Sequence, residues 1–302
     1  MLPEFPQFKN LELLDKESIE LHTKKFPPYS DFNFISMWSW DIKGETRISK
    51  LNGNLVVKFN DYITGEPFYS FLGDSEVDNT VEKLLELSKK EGLKVQLKLI
   101  SEESSKNLDN KKYKILEDRD HFDYIYDLEK LSKYAGGEYS QKRNEVSHLL
   151  SNNQNITTRE LDLRNPDLRK MVTNLFHKWV NNKKNDGKEY EEHEELAFNK
   201  ILFLSDNYRL ICVGLFRDTE LLAFKISELI ESGYALGHAS KSDTSIKGTN
   251  ALLMKADSEI LSSYGRKLFN FEQDLGLQNL RDGKSRFKPI TFLKKYIVSF
   301  NS

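Results

Sequence analysis

The sequence predicts a mixed α/β fold built from two similarly ordered halves, and three observations carry that prediction. The chain has 302 residues, which as a soft prior means two domains of roughly 100 to 200 residues each. Apolar residues recur with period 2 in some segments and period 3.6 in others, so strands and helices are interleaved. The order of three antiparallel strands, helix, strand, helix, strand is read twice along the chain, without a residue-level repeat.

In the first half, TRISKLNGNLVVKFND from Thr46 reads as a hairpin, because Asn52 and Gly53 tolerate positive φ at the turn. A strand over Pro67 to Leu72 stops at Gly73-Asp74-Ser75. Val77, Val81, Leu84, Leu85 and Ser88 then trace one helical face up to a stop at Gly92. Lys94 to Ile100 alternates as a strand, a short polar helix follows, and a strand from Phe122 to Leu128 closes the half.

A helical connector over Tyr139 to Leu150 and a strand over Ile156 to Leu161 open the second half. Asn165 is placed to cap a long helix with Pro166 at its first position, and Leu168, Met171, Val172, Leu175, Phe176, Trp179 and Val180 form its apolar face. A second helix is expected from Tyr190 to Ser205. Strands follow over Arg209 to Phe216, Leu221 to Ile230 and Gly233 to Ala239, then a helix over Ile246 to Ser263. A strand over Lys267 to Glu272, a helix over Leu277 to Phe287 and a strand over Ile290 to Ser299 complete the half. The expected domains are residues 1–135 and residues 136–302, the second including the connector helix.

Composition narrows the class of protein. With 38% hydrophobic, 12% aromatic and 30% charged residues, the chain is globular with a densely charged surface rather than disordered. A formal net charge of −2 gives no global attraction to nucleic acid or an anionic membrane, so any such contact needs a local basic patch. The single cysteine, Cys212 in Leu210-Ile211-Cys212-Val213, reads as a buried hydrophobe and permits a reducing compartment. The start, MLPEFPQFKNLELLDKE, has no signal-peptide pattern, and no segment approaches the roughly 18 apolar residues of a membrane span. A soluble, cytoplasmic protein is the expectation.

Three segments carry a resemblance: SDFNFISMWSWD (Ser30 to Asp41), FDYIYDLEKLSKYAGGEYSQKRNEVSHLL (Phe122 to Leu150) and FNFEQDLGLQNLRDGKSRFKPITFLKKY (Phe269 to Tyr296). Together they resemble the C-terminal domain family of phosphatidylglycerol lysyltransferases, over nearly the whole chain. The resemblance implies two tandem GNAT-like acyltransferase domains with mixed sheets flanked by helices. It also implies relation to enzymes that move amino acids from aminoacyl-tRNA onto lipids or cell-wall peptides. The expected function is an acyl- or aminoacyl-transferase acting on an amine, with aminoacyl-tRNA or acyl-CoA as donor. The alternative is a non-catalytic ligand-binding or regulatory protein that keeps the fold.

Such chemistry needs a site for donor phosphates, a group that polarises the acyl carbonyl and a base for the attacking amine. The helix near Ile246 follows the polar loop Ser242-Asp243-Thr244-Ser245, and Gly248 in its opening turn admits a phosphate to exposed N–H groups. The GNAT turn resembles Arg/Gln-x-x-Gly-x-Gly/Ala; Ser245, Gly248 and Asn250 fall on its positions, with Lys247 beside them, and Ser245 and Asn250 depart from it. An ordinary helix start is the competing reading. Glu272 and Asp274 lie where a strand gives way to a helix, a usual place for functional side chains in open sheets. They are the candidate catalytic carboxylates, while Asp274 as a helix cap and Glu272 as an ion partner of Arg281 are the structural alternatives.

Arg281, Lys284, Arg286 and Lys288 form a basic stretch able to bind an acidic donor or to serve as a solvated face. Lys142 and Arg143 open the connector helix, where positive charge opposes the helix dipole, and an anion contact or compensation by Glu138 and Glu145 would explain them. His238 is a cleft candidate or a packed histidine. Trp38 and Trp40 line a pocket or anchor the N-terminal segment, the second being favoured. No histidine, cysteine and carboxylate set has ligand spacing, so no metal site is predicted.

Overall fold

The computed structural model describes residues 2–185, 192–243 and 245–301. Its elements run β1 (Lys9–Asn10), α1 (Lys16–Thr23), α2 (Phe34–Trp40), β2 (Arg47–Leu51), β3 (Asn54–Asn60), β4 (Pro67–Leu72), α3 (Val77–Lys90), β5 (Leu97–Ser101), α4 (Glu102–Ser105) and β6 (Tyr113–Glu117). There follow β7 (Asp123–Asp127), α5 (Leu128–Lys133), α6 (Ser140–Asn152), β8 (Ile156–Leu161), α7 (Pro166–Asn185) and α8 (Glu192–Leu204). The remainder is β9 (Leu210–Arg217), β10 (Glu220–Leu229), β11 (Tyr234–Ser242), α9 (Thr249–Ser263), β12 (Leu268–Asn270), α10 (Gln278–Ser285), β13 (Thr291–Leu293) and β14 (Lys295–Phe300).

Local chemistry sets many of these bounds. Asn52 and Gly53 both have positive φ, 54° and 84°, as the tight β2–β3 hairpin requires. The Asn165 side chain accepts the N–H groups of Asp167 and Leu168 at 2.9 and 3.3 Å, capping α7 with Pro166 at its first position. In α3 the residues of the expected apolar face, Val77, Val81, Leu84, Leu85 and Ser88, are all buried. The beginning of the second-half helix expected from Tyr190 lies outside the described residues; α8 covers the rest.

Two seven-stranded sheets result. The first has the order β1-β2-β3-β4-β5-β14-β6 and the second, read from its opposite edge, β8-β9-β10-β11-β12-β7-β13. The two orders agree place by place: each has a parallel pair between its fourth and fifth strands, and an antiparallel sixth strand beside the fifth. The sixth strand is exchanged. β14 ends the chain yet pairs with β5 and β6, and β7 follows β6 in sequence yet pairs with β12.

Two sequence expectations are therefore corrected. The strand over Phe122 to Leu128 does not close the first sheet. The expected strand over Ile290 to Ser299 is two strands, with β13 in the second sheet and β14 in the first. β6, which fills the far edge of the first sheet, was not anticipated. Compactness divides the chain accordingly. One unit comprises residues 1–124, 273–281 and 292–302, the other residues 125–272 and 282–291.

The exchange has a physical lock. Lys295, the first residue of β14, is 0% exposed and bonds Asp31 and Asp123, the latter at 2.8 Å. Ser30 Oγ at 3.4 Å and Gln273 Oε1 at 3.3 Å complete its surroundings. Burial by itself would depress the lysine pKa, but the two carboxylates outweigh it and the value is raised. Asp123 also accepts from the backbone N–H and hydroxyl of Ser30, at 2.8 and 2.6 Å. Four separate stretches of the first unit thus meet at one ammonium group.

The second unit buries a lysine with less compensation. Lys225 of β10 is 1% exposed, and its Nζ lies 3.4 Å from Asp257 of α9, which is 0% exposed. Rings of Phe269 and Phe271 stand over the ammonium at 3.9 and 4.1 Å. Desolvation dominates here, pushing Lys225 down to about 8 and Asp257 up to about 6.

Lys295→Met should leave two uncompensated buried carboxylates and cost about 3–5 kcal/mol of stability, read as a lower denaturant midpoint. Lys294→Met, whose side chain is 40% exposed beside Glu117, should stay within about 0.5 kcal/mol. Equal losses at the two lysines would refute the lock.

The second unit makes a pH prediction. Asp257 has a folded pKa above its usual 3.8, so the folded state binds the extra proton and stability falls as pH rises from about 4 to about 6. Lys225 has a folded pKa below its usual 10.5, so the unfolded state binds the extra proton and stability recovers as pH rises from about 8 to 10.5. Lys225→Met/Asp257→Leu removes both limbs. Its melting temperature relative to the unmodified protein should be highest between about pH 6 and 8 and decline on either side; a difference flat with pH would contradict the assignment.

Candidate functional site

The second sheet opens at one end of its parallel pair. β11 has nine residues and β12 three, and they are paired only at Tyr234↔Leu268, Ala235↔Phe269 and Leu236↔Asn270. β12 stops because Asn270 Oδ1 accepts the Glu272 N–H at 2.7 Å, closing a local turn, while Glu272 itself takes a left-handed φ of 55°. From residue 237 to 242 the β12-facing edge of β11 has no strand partner among the described residues. On its other edge β11 carries a bulge. Ser227 pairs with Gly237 and Ile226 with Ala239, leaving His238 as the extra residue.

An unladdered strand edge presents backbone N–H groups at fixed positions, which is what a developing oxyanion needs. Beneath this edge lie the rings that cover Lys225. Gly237 admits them, since a Cβ there would stand 2.7 Å from the Phe269 ring. Lys284 pins the arrangement by donating to the Phe271 carbonyl at 2.5 Å, and Tyr126 in turn donates to the Lys284 carbonyl at 2.9 Å.

The two expected catalytic carboxylates fall in different units. Glu272 is half-buried at the exit of β12, in the second unit. Asp274 belongs to the first unit and is 0% exposed. Its carboxylate accepts from Arg281 at 2.9 and 3.0 Å, Arg119 at 3.2 Å, Tyr124 at 2.5 Å and the Gly276 N–H at 2.9 Å. Burial opposes its charge, but the bonds from Arg281, Tyr124 and Gly276 prevail and hold the carboxyl below the usual range. So stabilised an anion is a poor proton acceptor near neutrality. Asp274 is an anchor rather than a base.

Several expected anion contacts are likewise engaged internally. Arg281 is held by Asp274 and, at 2.6 Å, by Asp120. Lys142 is 8% exposed, bonds Glu145 at 2.9 Å and stands over the Phe287 ring at 4.6 Å. Arg143 donates to the carbonyls of Tyr134 and Gly136, at 2.5 and 2.7 Å, at the end of α5. His238 is buried with Nε2 3.4 Å from Glu228. Lys247 and Asn250 are exposed at the start of α9.

Gly248 has a packing reason of its own. Its φ is 96°, and a Cβ there would lie 2.5 Å from the Glu145 carbonyl oxygen of α6. Nearby, the Asp243 carboxylate accepts the Ser245 N–H and hydroxyl at 3.0 and 2.6 Å and pairs with Lys178 at 2.7 Å; Thr244 of the expected loop lies outside the described residues. A side chain also stands close to the loop before α3 in the first unit. Asn54 lies against Gly73 and bonds the Ser75 carbonyl and N–H, at 2.7 and 3.2 Å, and Thr80 at 3.0 Å.

Lys225, Asp257 and Lys295 were missed by sequence reasoning. The signal was a lysine inside the apolar run LLAFKISEL and an aspartate inside ALLMKADSEIL, each at a position whose neighbours are core.

The family model for the C-terminal part of phosphatidylglycerol lysyltransferase matches residues 24–299. Among curated proteins no sequence match was found. A conserved protein of unknown function from Bacteroides thetaiotaomicron is 24% identical with a TM-score of 0.84, and the alignment covers 100% of both chains. L-PGS from Bacillus licheniformis is 15% identical at a TM-score of 0.64, covering 96% of this chain and 92% of its own. FemX is 9% identical at 0.57, covering 98% and 97%. The mixed α/β fold expected from the sequence, with two mixed sheets flanked by helices, is the fold found. Among the described residues no helix is long and apolar enough to cross a membrane. With all but its two ends inside the match, the chain belongs to the phosphatidylglycerol lysyltransferase C-terminal family.

Proposed function

We propose that this protein transfers an aminoacyl group from aminoacyl-tRNA, at the open end of the β11–β12 pair. Family membership and fold support an acyl- or aminoacyl-transferase. The observation that carries the location is the parallel ladder that ends after Leu236↔Asn270 while β11 continues beside a bulge. Aminoacyl-tRNA is preferred to acyl-CoA on family membership, the family being named for lysyl transfer to phosphatidylglycerol; crowding beside Gly73 and Gly248, where a Cβ would meet Asn54 and the Glu145 carbonyl, narrows the approach to both helix starts.

In this reading the acyl carbonyl of the donor ester lies against the free edge of β11, whose N–H groups stabilise the tetrahedral oxyanion. The acceptor is an amine or, following the name of the family, the hydroxyl of phosphatidylglycerol. Either must lose a proton as it attacks. Glu272, half-buried where β12 ends, accepts that proton directly or through water, and the ribose oxygen of the donor leaves with a proton as the intermediate collapses. The buried pair Lys225–Asp257 and the rings above it support the floor. A binding protein that retains the fold is the second reading, favoured by the internal engagement of Asp274 and Arg281.

A thermal-shift panel of acetyl-CoA, longer acyl-CoAs and aminoacyl-tRNA tests the donor, since ligand at 100 times its Kd stabilises by about 2.7 kcal/mol. Only the tRNA should shift the transition. Glu272→Gln should then lower turnover at least ~100-fold with donor affinity nearly intact. Retained turnover with a lower melting temperature would make Glu272 structural and favour the binding protein.

A further inference from the structure

A single oxyanion needs the β11 edge only beside the bulge, yet the edge continues past it. The ladder with β10 fixes which backbone groups it presents. The Asp243 N–H donates to the Leu222 carbonyl at 2.8 Å, so Leu222 and Asp243 form a hydrogen-bonded antiparallel pair at the end of that ladder. Such pairs alternate with non-bonded ones along two antiparallel strands. Lys241 with Phe224 and Ala239 with Ile226 are therefore bonded, whereas Ser240 opposite Lys225 and Ser242 opposite Ala223 turn their N–H and C=O groups away from β10. Those groups face the side that β12 has left, where neither residue has a strand partner among the described residues.

Little covers them. The edge carries the small side chains of Ala239, Ser240 and Ser242, and its one long side chain is drawn aside. Lys241 bonds Glu194 of α8 and stands over the Trp179 ring of α7 at 3.8 Å. Ser240 and Ser242 are half-buried rather than sealed. Outer strands have a free edge in any open sheet. β11 differs, being the fourth of seven strands, so its free edge is a gap inside the sheet.

Backbone donor and acceptor recur from Ser240 to Ser242 at about 6.8 Å, the two-residue repeat of a strand. A lone hydroxyl meets only one such position, and a ribose-phosphate chain lacks the alternating donors. An extended chain of amides matches the repeat in register. We propose that the free edge of β11 binds an extended peptide as an added parallel strand and that the peptide's N-terminal amine is the acceptor, an inference that rests on the transferase reading above. Glu272 sets the sense of the strand. It follows Asn270, which pairs with Leu236 at the near end of the edge, so the amine lies there and the peptide runs with β11 toward Ser242. The neutral amine attacks the donor ester, its C–N bond forms and the C–O bond to ribose breaks. The amine gives a proton to Glu272 and the ribose oxygen takes one, leaving free tRNA and a peptide longer by one residue.

The test follows amide hydrogen exchange in the unmodified protein with millimolar tetra-alanine amide as the probe. Peptide should slow exchange at Ser240 and Ser242 and leave Lys241, already bonded to β10, unchanged. N-methyl groups on one alternate set of probe amides should weaken binding by about 5-fold per ladder bond lost, and those on the other set should not. No protection, or equal weakening by both sets, overturns the added strand. Protection by coenzyme A, whose pantetheine arm also carries amides, and not by the peptide would assign the edge to that arm and overturn the proposal. In parallel, label from aminoacyl-tRNA should pass to tetra-alanine amide at a KM about 10-fold or more below that for methylamine. Equal KM values, with transfer intact, overturn the peptide acceptor and leave the transferase reading standing. Transfer to neither amine, with Ser240 and Ser242 protected, sinks the transferase reading and the acceptor role with it.

Discussion

The bond that the rest of the structure depends on is the buried contact of Lys295 with Asp31 and Asp123. A lysine taken from water is costly unless its charge is met, and here it is met from residues far apart in sequence. The requirement fixes where β14 begins, and so which sheet the last strand of the chain enters. Once β14 fills the sixth place of the first sheet, the strand that follows β6 has no room there. β7 instead fills the equivalent place in the second sheet. Each unit is thereby completed by a strand from the other half of the sequence, which makes the pairings long-range and links the integrity of both sheets to one chain path.

The same logic of filled and unfilled partners shapes the proposed site. β12 is cut short by a side chain, Asn270, that satisfies a backbone donor the ladder would otherwise have used. The consequence is a free edge on β11. Elsewhere partners are met: the Glu145 carbonyl stands beside Gly248, the Asn54 amide bonds Ser75 and Thr80, and Asp274 holds Arg281. Among the described residues the β12-facing edge of β11 from residue 237 to 242 is left without a strand partner.

Local features of this fold were legible in the sequence because their causes are local. Asn52-Gly53, Asn165-Pro166 and the apolar face from Val77 to Ser88 each decide an element within a few residues. Pairing across the sheets was not legible, since nothing in Phe122 to Leu128 states which sheet will bury it. Glu272 was found from its position at a strand end. Gly248 was found, but its packing reason was not legible, because the atom nearest its missing Cβ belongs to Glu145, about a hundred residues earlier. Lys225 and Asp257 were visible as charges in apolar runs, but their meaning depends on each other and on two phenylalanine rings.

The measurement that bears most directly on this account follows a labelled amino acid on aminoacyl-tRNA, in the presence of simple amines and phosphatidylglycerol vesicles, with labelled acetyl-CoA in a parallel reaction. Label should pass from tRNA to an acceptor in the presence of the protein, while acetyl-CoA stays intact. Acetyl transfer from CoA with aminoacyl-tRNA left undischarged would contradict the account at its centre.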